Sequence, residues 1–298
     1  MREHRSNLPD RVLRALDEIA SDNRSGAAEI LRRAAALYSQ LDSASAQETI
    51  DSLSVELARA QPRMSPLIRM ANEVLKSTPD AAARFVENAA RAANSAASQA
   101  ASLIDEGARV LTHSRSSTVL EAFAQARRAG KSFAVVATES RPIFEGRTLA
   151  EALVKEAVPV VLIIDAAAAL AIEEIDVVLV GADAITPVSV INKVGTRMIT
   201  LAAREKGIRV FSVCDRSKFI REDCLAPERE HPGTEVWPNA PAEVSIRNEY
   251  FESTPLAWFT KIITEHGPLS SEEAAQRAEK ESIDSRLVEA LNAEREIR

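Results

Sequence analysis

Hydrophobic positions recur at helical spacing through the first hundred residues. Val12, Leu16 and Ile19 fall on one stripe of a helix, and the stretch 27–38 repeats the same pattern. Polar breaks that each precede another periodic run lie at 22–25, 40–45, 62–66 and 77–80. The pattern predicts about five helices. The last of these is an Ala-rich helix over 80–103, whose small side chains allow a close approach of neighbouring backbones.

From Gly107 onwards, short β-branched runs alternate with helical stretches. Predicted strands lie within 109–114, 132–140, 158–165, 176–183 and 208–215. Predicted helices between them cover 117–128, 147–156, 166–174 and 192–206. The strand runs are continuously apolar, so we expect both faces of a parallel sheet to be covered. Alternating units of this kind form an open, doubly wound sheet. The sequence therefore predicts an α/β protein with a helical N-terminal domain, 1–103, and a Rossmann-like domain, 104–298.

The last part of the chain has a weaker pattern. A polar loop over 216–242 is followed by a predicted short helix at 255–265. Ser270 and Glu273 then have the spacing of a capping box, which starts a charged terminal helix. We expect that helix to be an exposed C-terminal tail without a role in chemistry.

Composition and charge exclude several classes of protein. The 37 Lys and Arg residues are outnumbered by 44 Asp and Glu residues, and the net charge of −7 argues against direct nucleic-acid binding. No apolar run approaches the roughly 20 residues of a membrane helix. The N-terminus lacks the apolar segment of a secretory signal, and the two cysteines, Cys214 and Cys224, are not spaced as a zinc or redox pair. These features predict a cytoplasmic protein with no metal, cofactor or membrane contact.

Polar residues that follow the first predicted strand are candidates for binding, because open α/β sheets bind ligands at the carboxyl ends of their strands. Ser116 and Ser117 open a helix there, and the free amides of a helix N-terminus attract phosphate. The alternative is ordinary N-capping by either serine. We expect the neighbouring His113 to bond locally rather than to bind a metal.

Two other strand ends and one helix start carry candidate residues. Arg141 can hold a phosphate or carboxylate with Glu139 orienting it, or the two form a surface ion pair. Asp183 follows an apolar strand and can act as an acid or base, or it caps a turn. Asn192 and Lys193 open the predicted helix 192–206. There Lys193 pairs with a phosphate or with Asp183, or it is simply solvated.

Motifs that are absent from the sequence narrow the function further. The chain contains no GxGxxG, GxxxxGK[ST], HExxH or GxSxG pattern. Dinucleotide dehydrogenases, P-loop nucleotidases, zinc proteases and serine hydrolases are therefore disfavoured.

Five sequence motifs in the second half of the chain resemble a known family. They read VLTHSRSSTVLEA, TESRPIFEGRTLA, VVLIIDAAAAL, DVVLVGADAI and INKVGT, and the later stretch NEYFESTPLAWFTKIITEHG is similar to the same family. The family comprises the alpha, beta and delta regulatory subunits of initiation factor 2B. Its sister enzymes are methylthioribose-1-phosphate isomerase and ribose-1,5-bisphosphate isomerase. The resemblance implies a helical domain, a Rossmann-like domain, and a dimer built largely through the latter.

The resemblance also implies roles for individual residues. An Arg-Gly-Ala loop that binds sugar phosphate in the isomerases resembles Arg24, Gly26 and Ala27 here, with Ser25 inserted. The substrate-binding Asn-Lys pair corresponds to Asn192 and Lys193, and the catalytic aspartate corresponds to Asp183. The catalytic cysteine is replaced by Ser114, and an alcohol is a far weaker acid than a thiol.

Two further departures fall at the implied site. Glu145 stands where the isomerases have a substrate-binding glutamine, and Gln61 stands where they have an arginine. Together with Ser114 they favour a non-catalytic, alpha-subunit-like regulatory protein that binds a phosphorylated sugar or nucleotide. We expect a homodimer, either alone or within a larger assembly of copies or related subunits.

Two other hypotheses remain open at this point. One is an isomerase of aldose 1-phosphates, with Asp183 as acid and base and Ser114 or a water supplying the second proton. The other is a scaffold subunit with a vestigial site that works only through its dimer face.

Overall fold

The N-terminal third of the protein is helical, as predicted. The structure is a computed structural model that describes residues 2–41 and 47–296. Its first helices are α1 (Arg2–Arg5), α2 (Asp10–Ser21), α3 (Ala27–Tyr38), α4 (Gln47–Ala60), α5 (Ser65–Lys76) and α6 (Ala81–Ser102). The Ala-rich helix expected over 80–103 is confirmed as α6. The predicted break at 40–45 falls mostly on residues 42–46, which lie outside the described ranges.

A mostly parallel sheet occupies the rest of the chain, which confirms the predicted fold class. The strands are β1 (Arg109–Thr112), β2 (Ala134–Thr138), β3 (Val160–Ile163), β4 (Val177–Val180), β5 (Ala184–Ile185), β6 (Ser189–Lys193), β7 (Arg209–Val213), β8 (Phe251–Pro255), β9 (Lys261–Thr264) and β10 (Gly267–Leu269). Their connecting helices are α7 (Ser117–Arg128), α8 (Glu145–Lys155), α9 (Ala168–Ala171) and α10 (Thr196–Glu205). The main sheet has the order β3-β2-β1-β4-β7-β9-β10, and only β10 among these strands runs antiparallel to its neighbour.

The strand order reverses between β1 and β4. The connections from β1 lead outward to β2 and β3 on one side, whereas β4, β7 and β9 continue on the other. Leu111 of β1 lies in register with Val136 of β2 and with Val178 of β4. A crevice forms at the carboxyl ends of the strands where such an order reverses, so this edge is where a ligand is expected.

A small second sheet, β5-β6-β8, changes one predicted helix and the segment 255–265 contradicts another. The helix predicted over 192–206 is confirmed only over Thr196–Glu205, as α10. Residues 192–193 belong to β6 rather than to the start of a helix, and the segment 255–265 contains the end of β8, a short 3-10 turn and β9. Strand β6 pairs antiparallel with β5 and with β8, and Asn192 lies opposite Glu252. The pairing of β6 with β8 joins segments about sixty residues apart, and a local pattern does not reveal it.

The terminal helices are packed rather than exposed, which corrects the expected tail. The capping box of Ser270 and Glu273 is confirmed and starts α11 (Ser271–Glu279). Ala274 and Ala278 of α11 are buried in the core on one face of the main sheet. Helix α12 (Ser285–Glu296) packs on α4, and its Leu287 is fully buried. The C-terminal segment therefore contacts both halves of the molecule.

Helix α6 contributes to two hydrophobic cores. Its first residues, Ala81 and Ala82, pack with the N-terminal helices. Its last turns place Ala96, Ala97 and Ala100 against the main sheet and α7. The alanines allow the close approach that the sequence predicted. The division into domains at residue 103 stays a prediction, because α6 packs both on the N-terminal helices and on the main sheet.

The edge strand β3 departs from the expectation that both faces of the sheet are covered. Val161 and Leu162 are 52% and 43% exposed, and the apolar side chains beside them are also open to solvent. We call this region the β3 surface; it consists of Val154, Val161, Leu162, Ile164 and Leu170. The helix predicted over 166–174 is reduced to α9 and two 3-10 turns.

Candidate functional site

A cavity of about 840 Å³ lies between the N-terminal helices and the carboxyl ends of β1 and β4. Nearly all the residues predicted for the site line it: Arg24, Ser25, Gly26, Ala27, Ser114, Ser116, Ser117, Glu145, Asp183, Asn192 and Lys193. The cavity therefore combines segments from both halves of the chain at the point where the strand order reverses. Its volume falls within the range typical of small-molecule sites, about 300–1,000 Å³.

Arg141 does not line the cavity, although the sequence suggested it as an anion ligand. Its Nη2 donates to the carbonyl of Val236 at 2.8 Å, and its backbone amide donates to Asp165 Oδ2 at 2.7 Å. Glu139 pairs instead with Arg147, at 3.1 Å. The carboxylate of Asp165 thus holds the backbone at Arg141, and the Arg141 side chain extends along the surface toward Val236.

The loop between α2 and α3 forms one wall of the cavity. Asp22 Oδ1 accepts hydrogen bonds from the amides of Arg24 and Ser25, at 3.0 and 2.8 Å. Gln61 supports the loop from behind, because its Nε2 donates to the carbonyls of Ile19 and Asp22 at 2.9 and 3.1 Å. Gln61 therefore positions the loop that carries Arg24.

The N-terminus of α7 forms the opposite wall. Ser116 is its N-cap and accepts a hydrogen bond from the amide of Val119 at 3.3 Å. The N-capping alternative for Ser116 is thus correct, and the same residue also lines the cavity. Gly181, just after β4, permits this arrangement, since a Cβ built there would lie 2.7 Å from Ser116 Cβ. The amides of the first turn of α7 and its dipole favour an anion here.

Lys193 and Glu145 form an ion pair inside the cavity. Lys193 Nζ lies 2.7 Å from Glu145 Oε1, and the lysine side chain is only 3% exposed. The ammonium also lies 4.7 Å from the ring centre of Tyr250 and 5.3 Å from that of Phe251, where cation–π attraction adds to the pairing. Ser114 Oγ donates to the same Glu145 oxygen at 3.4 Å. The predicted pairing of Lys193 with Asp183 is therefore replaced by one with Glu145.

The second carboxylate oxygen of Glu145 is unsatisfied. Oε2 is buried and has no hydrogen-bond partner among the residues that the structure describes. Burial raises the pKa of Glu145, and the adjacent Lys193 opposes that rise. An unpaired buried acceptor favours a donor in the cavity, such as a ligand hydroxyl, or a proton on Glu145 itself.

Asp183 extends from the end of β4 into the cavity. Its amide donates to the carbonyl of Ile191 at 2.8 Å, which fixes its backbone beside β6. Within the described ranges its carboxylate accepts no hydrogen bond, so the turn-cap alternative is not observed. Burial raises the pKa of Asp183, although Lys218 and Lys193 stabilise its charge. The carboxylate is therefore available to a ligand hydroxyl or to proton transfer.

His113 supports the site from below and bonds locally, as predicted. Its Nε2 lies 2.8 Å from the carbonyl of Val194, and since a carbonyl only accepts, Nε2 carries the proton. Its Nδ1 then accepts from the hydroxyl of Thr138 at 2.6 Å. Burial lowers the pKa of His113, so the ring is neutral. Gly195 lies against this ring: a Cβ built there would be 3.0 Å from it, and the φ of +108° also favours glycine.

Several residues that the sequence did not single out also line the cavity, among them Arg63, Lys218 and Tyr250. Tyr250 stacks on His231 with ring centres 3.5 Å apart. Its hydroxyl accepts from Asn23 at 2.8 Å and donates to Glu235 at 2.5 Å. The 228–235 segment is thus tied to the α2–α3 loop. This segment has no periodic pattern, so its position could not be predicted from the sequence.

This fold and this cavity define an α/β protein of the ligand-binding class. Its N-terminal helices pack on a Rossmann-like sheet, and a ligand-sized cavity lies where the strand order reverses. The chain matches the Initiation factor 2 subunit family over residues 11–271, and it belongs to that family.

Similar proteins include both initiation factors and isomerases. A solved structure of translation initiation factor eIF-2B from Pyrococcus horikoshii OT3 is 32% identical, with a TM-score of 0.79 over 88% of this chain and 97% of the other. Ribose 1,5-bisphosphate isomerase of Archaeoglobus fulgidus is 30% identical over 89% of this chain and 91% of its own length. The tetrameric eIF2B-beta2-delta2 complex from C. thermophilum shares the fold at 20% identity, with a TM-score of 0.66 over 87% of this chain and 92% of the other.

The described ranges, 2–41 and 47–296, contain neither a metal cluster nor a membrane-spanning helix. No three His, Cys, Asp or Glu side chains come together there as a metal site. No helix formed by these residues has the length and apolar character needed to cross a bilayer.

Proposed function

We propose that the protein is an initiation factor 2B alpha-like regulatory protein that binds a phosphorylated sugar or nucleotide in the 840 Å³ cavity. The observation that carries the proposal is the meeting of three phosphate-binding features at one cavity. These are the loop with Arg24, the N-terminus of α7 with Ser116, and the Asn192–Lys193 pair on β6. Backbone amides, a helix dipole and cationic side chains are the usual groups that bind phosphate.

Binding of an anion changes the partners of Lys193. In the structure its ammonium is paired with Glu145, so a phosphoryl group has to share or replace that carboxylate. Asp183 accepts from the hydroxyls of a sugar, because its carboxylate makes no hydrogen bond within the described chain. Asn192 is held by its own bond to Thr196 Oγ1, at 2.9 Å, and this bond orients its side chain.

The proposed role is non-catalytic because Ser114 occupies the position of the isomerase cysteine. A thiol with a pKa of about 8.5 exchanges protons near neutral pH, whereas an alcohol does not. The hydroxyl of Ser114 is also engaged by Glu145, at 3.4 Å.

One observation favours the second candidate, an isomerase of aldose 1-phosphates. Asp183 is a carboxyl group in the cavity whose pKa is raised by burial, and such groups transfer protons efficiently. Asp183 would then act as acid and base, with Ser114 or a water supplying the second proton.

Binding is tested by calorimetry with AMP and with sugar phosphates at millimolar concentration. We expect binding that is lost in Lys193→Met and kept in Arg141→Gln, since Arg141 lies outside the cavity. The absence of any binding by the wild-type protein would refute the proposed function.

Catalysis is tested by incubating the protein with ribose-1,5-bisphosphate or methylthioribose-1-phosphate and measuring the ketose. The regulatory proposal expects no turnover. Turnover that is lost in Asp183→Asn would establish the isomerase instead, and turnover that survives this substitution would exclude the Asp183 mechanism.

The assembly that we propose is a cytoplasmic homodimer, with larger assemblies of copies or related subunits as its extension. The exposed apolar side chains of the β3 surface support it, because an uncovered edge strand with apolar neighbours is a typical association site. A scaffold without ligand binding would keep this surface and fail the calorimetric test.

A further inference from the structure

A second cavity of about 480 Å³ lies beside the first, between α5 and α6 on one side and the carboxyl ends of β7 and β9 on the other. Helix α11 closes it through Arg277. The two cavities share Asp215 and Ser217 in their linings, so a single 3-10 turn, Arg216–Lys218, separates them. Arg216 faces the second cavity and Lys218 faces the first.

Cationic side chains dominate the groups that remain available in this cavity. Four arginines line it, against three carboxylates, and its His266 lies 3.6 Å from Glu265 Oε1. Arg69 is already used: its Nη2 pairs with Glu281 at 2.9 Å, and its Nη1 donates to the carbonyl of Arg216 at 2.6 Å. Asp215 Oδ1 accepts from the amide of Ser217 at 2.8 Å. Two of the three carboxylates are therefore engaged.

Within the described residues, three guanidinium groups of this cavity form no ion pair. Arg277 Nη1 is buried and has no hydrogen-bond partner among the residues described. The guanidinium carbon of Arg277 lies 5.6 Å from the ring centre of Phe219, which holds the group in place. Arg84 and Arg216 are exposed at the rim, and within the same residues their side chains form no ion pair. A buried charged donor without an acceptor is unfavourable, and an oxyanion in the cavity would remove this penalty.

We propose that the second cavity is a binding site for a small phosphoryl-bearing molecule, held by Arg277, Arg216 and Arg84. The planar fork of a guanidinium matches the oxygens of a phosphoryl group, and several forks together favour a dianion over a single carboxylate. Phe85 and two alanines of α6 form an apolar wall that accommodates the remainder of the molecule. The site does not depend on the function proposed for the first cavity.

A ligand in this site contacts the turn that presents Lys218 to the first cavity. Ser65 Oγ donates to the carbonyl of Ser217 at 2.9 Å, which fixes the turn against α5. Occupancy of the second cavity therefore changes the electrostatic surroundings of Lys218 and Asp183.

The test uses pyrophosphate as the probe in titration calorimetry on the full chain. The Lys193→Met variant removes the central cation of the first cavity and isolates the second site. In that background we expect Arg277→Gln, and separately Arg84→Gln, to weaken binding at least tenfold. Arg91→Gln is the matched control, because Arg91 is an exposed residue of α6 outside both cavities.

Arg84 is exposed, so Arg84→Gln keeps the test valid if Arg277→Gln does not fold. Binding that disappears with Lys193→Met alone would place pyrophosphate in the first cavity and overturn the proposal. Equal affinity in Arg84→Gln, Arg91→Gln and the parent would overturn it as well. If sugar phosphates do not bind the first cavity, the proposal for the second cavity still stands. The two proposals can therefore be refuted independently.

Discussion

Lys193 and Glu145 form an ion pair that an incoming anion has to open. Lys193 is almost fully buried and Glu145 is mostly buried, and Glu145 Oε2 lacks a hydrogen-bond partner in the described chain. Because burial raises the pKa of Glu145, lower pH protonates the carboxyl and frees Lys193. The affinity for a phosphorylated ligand is therefore coupled to the charge of this one side chain.

We expect Glu145→Gln to raise the affinity for AMP or a sugar phosphate by about tenfold at pH 8, which is roughly 1.4 kcal/mol. The gain is smaller at pH 5, because a carboxyl with a raised pKa takes up its proton at a higher pH than usual. Calorimetry at both pH values measures it. The ligand's own phosphate titration affects both proteins equally, so their ratio isolates Glu145. A ratio that is independent of pH would contradict this account.

Asp183 gives a prediction for stability. Its pKa in the folded protein is raised by burial, so the folded state holds its proton more tightly than the unfolded state. Stability is then lost as the pH rises through the folded pKa. Asp183→Asn removes this loss, and we expect it to raise the Tm by about 2 °C or more at pH 8, with a smaller gain near pH 4. Glu243→Gln in the exposed loop is the control, and an unchanged or lower Tm of Asp183→Asn at pH 8 would disprove the expectation.

At the level of elements, the site depends on how closely the start of α7 approaches the end of β4. Gly181 provides the space, because a Cβ there would meet the side chain of Ser116 at 2.7 Å. We expect Gly181→Ala to lower stability by about 1–3 kcal/mol, in the range of overpacking substitutions. In Gly26→Ala the new Cβ lies 3.8 Å from Arg115, an ordinary contact, so this variant should be nearly neutral. Chemical denaturation of both variants measures the difference, and equal losses would rule out the steric explanation.

Local patterns predicted the elements that local interactions form. The helix predicted at 117–128 agrees with α7 at both ends, because its capping serine and its apolar spacing lie within twelve residues. Strand β6 was missed, since its partners β5 and β8 flank it on either side and β8 lies about sixty residues away in the chain. The expected helix at 255–265 failed for the same reason.

The candidate site was predicted in the same uneven way. Asp183 was found because the end of its strand can be read from the sequence, and Lys193 was found because a family motif marks it. Lys218 and Tyr250 reach the cavity from an irregular loop and from the residue before β8, where no periodicity indicates a direction. The Lys193–Glu145 pair required a contact between two segments 48 positions apart, which only the folded chain provides.

For the whole molecule, the β3 surface predicts self-association. Leu170 is 77% exposed and Val161 is 52% exposed, and burying such side chains against a second copy is favourable. We expect the wild-type protein to sediment at twice its 32.3 kDa mass. The double variant Val161→Lys/Leu170→Lys should sediment as a monomer, whereas Val244→Lys, an exposed position in the 236–248 loop, should not change the mass. A wild-type monomer, or a dimer that persists in the double variant, would exclude this surface.

Helix α6 has a mechanical consequence for access to the first cavity. It is a continuous helix of 22 residues that is anchored in the N-terminal core at one end and against the main sheet at the other. A hinge motion of one half relative to the other would remove the alanines of α6 from one of these two hydrophobic cores. We therefore expect the two halves to move as one rigid body. A ligand would then enter where the hydrogen bonds of the Tyr250 hydroxyl join the 228–235 segment to the α2–α3 loop, once these bonds open.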